Sequence, residues 1–527
     1  MSQKTIRTVG LPFEAGIIDI GAHSVRLEIF QVAKDGSIET LESVTRIINL
    51  GYDAFRRGAI SPENINLLCA ILSDCARRLR EYRITICRTV ATSAIREASN
   101  RDLVARRVKL ASGFDLEILE SSEEARLLHQ ALQDAFEIEE RRDELNGLVI
   151  AVGTGSLLLF YLENGCLTYS ETVALGSVRL FDEAGRTTLN PDKIKILLRS
   201  LDLRRHLMTN CNYHPNAKIN FIGIGAGIRA LMALDHDVAP MDLSGNIREL
   251  PLESLRTLSR KAQESSPATI AEQCRIADYL ALSVAPSSCI VDYVLEQIPC
   301  KKFLAPTVTT RQALLTDLIR SQTGNLRSFE PDLLATATTI GHKYHFDYEH
   351  ARATADIALA LFDKVKKYFQ MDRRLRILLE IAALLHDIGR FVDIRQYPRH
   401  SFYLISQMQL PGLTPEEIQI LALITRYQRK TNPKMSHVEY QALPPSERVI
   451  LLQLTALLRV AEALEKNHRA DFKKMQLNIS PSKHLLKIKV AGSNDLAWER
   501  QYLSQKDDLF YEVFGMKIVI EEELQRI

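Results

Sequence analysis

The sequence predicts a duplicated α/β fold followed by an all-helical region and a small α+β tail, and three observations predict it. Strand and helix signals alternate through the first part of the chain, with apolar runs suited to a sheet covered on both faces. The pattern then restarts: IIDIGAHSVRLEIF from Ile17 and VIAVGTGSLLLFYL from Val149 each pass from an apolar strand through a glycine-bearing turn into a second strand. From about Phe329 strand signals vanish and amphipathic helices take over, until strands return in the tail. These breaks place the domains at residues 12–145, 146–312, 328–470 and 471–527.

In order along the chain, Ala15–Val32 reads as strand, turn, strand, and Pro62–Glu81 as a helix. A strand at Ile84–Thr92 precedes helices around Asn100–Ser112 and Ser122–Ala135. Asp143–Gly147 is a polar connector. Strands LVIAVG, LLLFYLENG and LTYSETVALG follow, then a helix near Pro191–Met208 and the strand INFIGIGAG at Ile219–Gly227. Helices are expected over Asp332–Tyr344, Glu349–Phe369, Arg373–Leu385, Thr414–Tyr427 and Glu447–Lys466. MQLNIS and HLLKIKV make a hairpin across Ser-Pro-Ser-Lys, and a helix near Asp507–Phe514 and the strand KIVIEE close the chain.

At 527 residues, 46% hydrophobic and 25% charged, the composition is that of a folded soluble protein of several domains. Lys+Arg 67 against Asp+Glu 65 leaves +2, too even for a dedicated nucleic-acid or anionic-membrane surface. A single Trp argues against stacking platforms for single-stranded nucleic acid. The eight cysteines contain no C-x-x-C pair and read as reduced thiols of a cytoplasmic protein. MSQKTIRTVGLPFEAG lacks a sustained apolar core and is not expected to be a signal peptide. Gly147–Leu162, the longest uncharged stretch, is divided by glycines and too short to span a bilayer.

Three glycine loops carry the candidate chemistry: Asp19–Ser24, Val152–Ser156 and Gly223–Gly227. Glycine lets backbone N–H groups approach an anion because no Cβ blocks them. Between the first two loops lie Arg96, a candidate phosphate fork, and Glu124, a candidate general base. The plainer alternative for Glu123–Glu124 is a helix start, with Ser121 or Ser122 as cap and acids favoured by the dipole.

These segments resemble the exopolyphosphatase/guanosine pentaphosphate phosphohydrolase (Ppx/GppA) family. DIGAHSVRL is similar to its D-[IL]-G-[ST]-N-S-x-R-L loop and TSAIREA to its T-x-x-[LI]-R-x-A segment. EILESSEEARL is similar to E-[IV]-[IL]-S-G-x-E-E-A-R-L, and VALGSVRL to L-G-x-V-R-L. The resemblance implies a two-lobed actin-like (ribonuclease H-like) fold that releases terminal phosphate from inorganic polyphosphate or pppGpp, normally with Mg²⁺. It further implies Glu124 as the base, with Asp19, Gly21, Ser24, Arg26, Arg96, Gly153, Gly155, Ser156, Gly225 and Gly227 binding phosphate.

The departures lie mainly in the second loop. Where the family reads D-[IL]-G-G-G-S-T-E-[LI], Ala151 replaces the Asp and Leu158 the Glu, and neither can ligate a hard cation. His23 stands for Asn, Ser121–Ser122 for Ser-Gly, and Ala226–Gly227–Ile228 for Ser-Gly-Thr. These changes set a second expectation beside hydrolysis: a catalytically inactive binder of polyphosphate or guanosine penta- or tetraphosphate.

In the helical region Leu384–Gly389 (LLHDIG) closes an apolar helix, with Gly389 expected to terminate it. A His-Asp pair there can place imidazole and carboxylate on one divalent ion. His350 and Glu462 are the positional candidates to complete it, and His400 a further one. The segment resembles the HD phosphohydrolase superfamily, which implies Mn²⁺, Fe²⁺ or Zn²⁺ on His350, His386, Asp387 and Glu462, and a third possible seat of hydrolysis. Glu462 stands where that superfamily has Asp, and Gln428, in Arg426–Lys430, where a His is common. The exposed apolar helices of the last third suggest a homodimer.

Overall fold

The computed structural model describes residues 10–523 apart from 178, 181–190, 212, 236–246, 325–327, 430, 467–474, 481–483 and 492–495. The chain divides into two compact units, one ending at Ser328 and the other beginning at Phe329.

In the N-terminal unit one sheet comprises β1 (Phe13–Ile20), β2 (Ser24–Val32), β3 (Ile38–Ile47), β4 (Ile86–Ala91) and β5 (Glu117–Ile118). The second comprises β6 (Gly147–Val152), β7 (Leu157–Glu163), β8 (Cys166–Val173), β9 (Ile219–Ile224), β10 (Ile247–Leu250) and β11 (Cys300–Pro306). Their orders are β3-β2-β1-β4-β5 and β8-β7-β6-β9-β11-β10. In both, three antiparallel strands continue into two parallel ones, and β10 adds an antiparallel edge. The correspondence reaches the register: Asp19 faces Arg26 across β1–β2 as Ala151 faces Leu158 across β6–β7.

The apolar runs become the middle of each sheet, and β6 is buried along its whole length, as a strand covered on both faces must be. The edge strand β3 lacks an apolar run and is absent from the sequence-based expectation. Its IETLESVTRI is mostly exposed, and charged side chains suit an edge that must not pair further. The helix expected over Pro191–Met208 is two, Pro191–Arg199 and Leu203–Asn210, broken at Asp202 with its φ of 43°. Ser61 caps Pro62–Glu81 by accepting from the Asn64 N–H, with Pro62 where its missing N–H costs nothing. None of the eight cysteines is in a disulfide among the described residues, and burial pushes the Cys87, Cys289 and Cys300 thiols up to about 12.

The C-terminal unit carries helices Glu330–Lys343, Tyr348–Phe369, Arg373–Leu385, Pro415–Tyr427 and Pro445–Glu465 around one apolar core. Asp347, Asp372 and Thr414 cap three of them, the last in a reciprocal box with Glu417. A helix at Tyr397–Ser406 was not apparent in the sequence. The tail forms a sheet in which β12 (Gln476–Ser480) pairs antiparallel and β14 (Lys517–Glu523) parallel with β13 (Leu485–Ala491). The Pro-Ser-Lys of the expected turn, 481–483, lies outside the described residues. Among the described residues no helix is long and apolar enough to cross a membrane.

Candidate functional site

The glycine loops of the N-terminal unit meet at one cleft. The Gly21 N–H donates to the Ser24 carbonyl at 2.9 Å, and the Gly153 N–H to the Ser156 carbonyl at 3.0 Å, so β1–β2 and β6–β7 are joined by the same turn. The third loop abuts the second: Gly225 has φ 128°, and a Cβ there would lie 2.3 Å from the Val152 carbonyl oxygen. The LGSVR segment braces it, Ser177 N–H donating to the Gly153 carbonyl at 2.9 Å and Arg179 Nε to the Gly155 carbonyl at 3.1 Å. Val178 lies outside the described residues.

Of the expected phosphate residues, Asp19, Gly21, Ser24, Arg26, Gly153, Ser156, Gly225 and Gly227 line the cleft with Glu124. Gly155 lies instead against the Phe55 ring and Ser93. Arg96 is also off the lining. Its Nη1 donates to Glu124 Oε2 at 3.2 Å and to the Leu119 carbonyl at 2.7 Å, so it orients the carboxylate from behind. Glu124 lies in the first turn of the helix Ser121–Ile138, but Glu120 is the N-cap and no serine side chain caps it. The neighbouring Glu123 is spent on Arg126 at 2.6 Å, leaving Glu124 as the acid that reaches the cleft.

Two further cationic residues, missed in the sequence, line the cleft: Arg229 and Arg311. Burial, with Arg26 and Arg311 nearby, lowers the Arg229 guanidinium to about 10. Arg311 is ion-paired with Glu28 on β2. Asp19 is raised from the ordinary carboxylate value, burial first; Glu124 and Glu28 push the same way, and Arg26 and Arg311 pull against it. The signal for Arg229 was its place two residues after Gly227, at the head of a helix; Arg311 left none.

Opposite this charged floor, Ala151 and Leu158 line the cleft from the second sheet, 8% and 5% exposed. Mg²⁺ is held by one or two free carboxylates with waters and substrate phosphates, but here the second turn supplies none and Glu124 is already bonded to Arg96. The cleft offers two carboxylates, and the field of two arginines acts on one of them. Its residues do not fit a resident Mg²⁺.

In the C-terminal unit His350, His386 and Asp387 each place a ligand atom within 4.8 Å of the others. His386 Nδ1 lies 2.7 Å from the Ala383 carbonyl, which makes it the protonated nitrogen and leaves Nε2 as a lone pair. Nε2 and Asp387 Oδ1, 3.4 Å apart, are buried without hydrogen-bond partners, and Asp387 Oδ2 is held by Arg390 at 2.7 Å. This donor set fits a borderline divalent ion. Glu462 is not in the group; it is ion-paired with Lys506 and, at 3.7 Å, with Lys466. His400 is outside it as well. Gln428 donates to the His386 carbonyl at 2.7 Å and so anchors the backbone that carries the pair. Gly389 does not end the helix through a left-handed φ; a Cβ there would lie 2.1 Å from the Tyr397 carbonyl oxygen. Lys430 lies outside the described residues.

The Ppx/GppA phosphatase family matches residues 29–196, and Ppx/GppA phosphatase domain III matches residues 334–512. The chain carries domains of the Ppx/GppA phosphatase family. The first match contains Arg96, Glu124 and the second loop, and the second contains His350, His386 and Asp387. An exopolyphosphatase from Cytophaga hutchinsonii is 19% identical, with 58% of this chain and 98% of that one covered at a TM-score of 0.50. A Ppx/GppA family member from Aquifex aeolicus is 21% identical over 60% of this chain and 100% of its own, at a TM-score of 0.48. The Cytophaga likeness, with the two mixed sheets of common order, identifies the fold as actin-like α/β.

Proposed function

We propose that the N-terminal unit is a phosphoanhydride hydrolase that releases terminal phosphate from inorganic polyphosphate or pppGpp. The observation that carries this reading is the meeting of Arg26, Arg229 and Arg311 with Glu124 at the paired glycine turns. Guanidinium forks match phosphate oxygens bidentately and stay charged at any working pH. Arg229 has no acidic partner among the described residues, so an arriving phosphate relieves the repulsion it feels from its neighbours. With the chain so held, the Glu124 carboxylate, fixed by Arg96, accepts a proton from water as its oxygen bonds to the terminal phosphorus. The bridging P–O bond breaks, giving orthophosphate and a chain one phosphate shorter. Holding the phosphate chain in place falls to the arginines, and activating the water falls to Glu124.

The family depends in general on divalent metal, and no step here is routed through one. The test follows phosphate release from long-chain polyphosphate and from pppGpp, wild type beside Glu124→Gln, which should cost about 10²–10⁴-fold. Tight binding with no release by wild type would instead establish a polyphosphate or guanosine-nucleotide sensor. The apolar Ala151 and Leu158 favour that second reading.

For the C-terminal unit we infer an HD-type domain within 328–470, with the α+β segment 471–527 after it and lobes 12–145 and 146–312 before it. His350, His386 and Asp387 would hold Mn²⁺, Fe²⁺ or Zn²⁺, which would supply Lewis acidity there. The orphaned His386 Nε2 and Asp387 Oδ1 support this. Elemental analysis should find about one such ion per chain after loading and none in His386→Ala.

A further inference from the structure

In the C-terminal unit the acids expected to bind metal are already answered by cations of the chain itself. Arg390 holds Asp387 Oδ2 at 2.7 Å. Glu462, which is 2% exposed, meets two ammonium groups: Lys466 lies 3.7 Å from its Oε1, and Lys506 is paired with its Oε2. Lys506 is itself only 9% exposed. It belongs to the tail, between the helices Ala497–Leu503 and Asp508–Phe514.

Two observations tie Glu462 to the His-Asp pair. Burial, then Arg390 and Arg429, lower the Lys466 ammonium, and Asp387 acts on it in the opposite sense, so one ammonium stands in the field of both carboxylates. Arg459, one turn before Glu462 on the helix Pro445–Glu465, donates from Nε to the Tyr427 carbonyl at 2.7 Å. The next residue, Gln428, donates to the His386 carbonyl at 2.7 Å. A buried ion pair seldom adds stability over packed apolar side chains of the same volume, so Lys506 on Glu462 asks for a reason other than folding. The chemistry supplies one: an ammonium and a divalent ion seek the same carboxylate oxygens, and a carboxylate held by lysine is withheld from the metal.

We propose that Lys506 is an internal cation that competes with the divalent ion for Glu462, so that the tail sets how tightly the site holds its metal. The proposal rests on the reading of His350, His386 and Asp387 as a metal site. With Lys506 in place those three residues bind the ion without Glu462; with Lys506 withdrawn, Glu462 joins them as a further ligand.

The test is titration of the full chain with Co²⁺, which follows Fe²⁺ in the affinity order of such sites and reports its ligands through its visible spectrum. Lys506→Met should bind Co²⁺ at least about tenfold more tightly than wild type, with a changed spectrum. Lys506→Met/Glu462→Gln should lose both the gain and the spectral change; mere loss of a nearby positive charge would leave the spectrum alone throughout. Lys506→Arg keeps the pair and should bind as wild type does. Without metal, Lys506→Met should melt below wild type because Glu462 has lost a partner, and Co²⁺ should raise its melting temperature more than it raises that of wild type. Lys506→Gln, closer in shape and still able to donate to Glu462, should show the same gain in affinity to a smaller degree. Equal affinity and an equal spectrum in wild type, Lys506→Met and Lys506→Gln would overturn the proposal and leave the metal site standing. No Co²⁺ bound by any of the three would overturn the metal site and the proposal together.

Discussion

Replacing Arg229 by Gln should stabilise the free protein while weakening its hold on phosphate. The guanidinium falls from an ordinary 12.5 to about 10, because it is buried and faces Arg26 and Arg311. Each pH unit between those values is worth 1.36 kcal/mol, so the charge costs the unliganded fold at most about 3 kcal/mol. Solvent in the open cleft screens part of this, leaving about 1–2 kcal/mol. The sign follows from a basic group with a depressed pKa: the cost is present throughout neutral pH and fades only as pH rises past about 10. Thermal melts without ligand should therefore show Arg229→Gln above wild type, by about 2–4 °C. With oligophosphate at about 100 times its wild-type Kd, wild type gains about 2.7 kcal/mol. A variant bound about 10- to 100-fold more weakly should gain only about 0.4–1.4 kcal/mol at the same concentration. A variant that melts lower than wild type without ligand, or gains as much from it, would refute the arginine cluster as an anion receptor.

Chelation should leave cleft affinity for tripolyphosphate within about twofold, since guanidinium groups hold their charge without a metal; a tenfold loss with EDTA, read by titration, would restore a metal to the cleft. Gly225→Ala should cost about 1–3 kcal/mol from its φ of 128° alone, with the Val152 carbonyl 2.3 Å from the new Cβ adding to that. Chemical denaturation would measure it, and phosphate binding should fall with it. Asp53 accepts from the Ser61 N–H at 2.9 Å and from Asn64 at 2.7 Å. Burial alone would raise its pKa, but these bonds and Arg57 outweigh it and the carboxyl is lowered. Asp53→Ala should therefore cost about 2–3 kcal/mol at neutral pH, and the gap from wild type should narrow as pH falls from the ordinary carboxylate range through the depressed value.

The sheet cores were legible because continuous apolar runs such as GLVIAV leave a strand little choice, and the helices because Ser61, Asp347, Asp372 and Thr414 announce their starts. The strand β3 was not, since an exposed edge carries no apolar period. In the site, glycine loops and the acid pair could be found by local pattern. Which way a side chain turns could not. Arg96 sits in a motif that suggests a phosphate fork, and it serves Glu124 because Leu119 and Glu124 come first within its reach. Glu462 has the spacing of a metal ligand and is captured by Lys506, a residue far along the chain. Arg26, Arg229 and Arg311 belong to separate β/α segments, so only the folded sheets bring their charges into one field.

The two turns of the cleft separate backbone from chemistry. They share one hydrogen bond, one register and one place in the sheet order, yet one presents Asp19 and Arg26 where the other presents Ala151 and Leu158. The backbone therefore fixes where a phosphate chain meets the protein, and four side chains fix what neutralises it. With the second turn apolar, neutralisation falls to arginines, whose charge needs neither metal nor proton to be loaded. Water activation falls to a different pair, Glu124 and the Arg96 behind it, which touches none of those arginines through a direct ion pair among the described residues. Affinity and turnover in this cleft are thus carried by separate groups. Substitution at Arg229 should move Kd with little change in the rate of the bound state, and substitution at Arg96 should do the reverse.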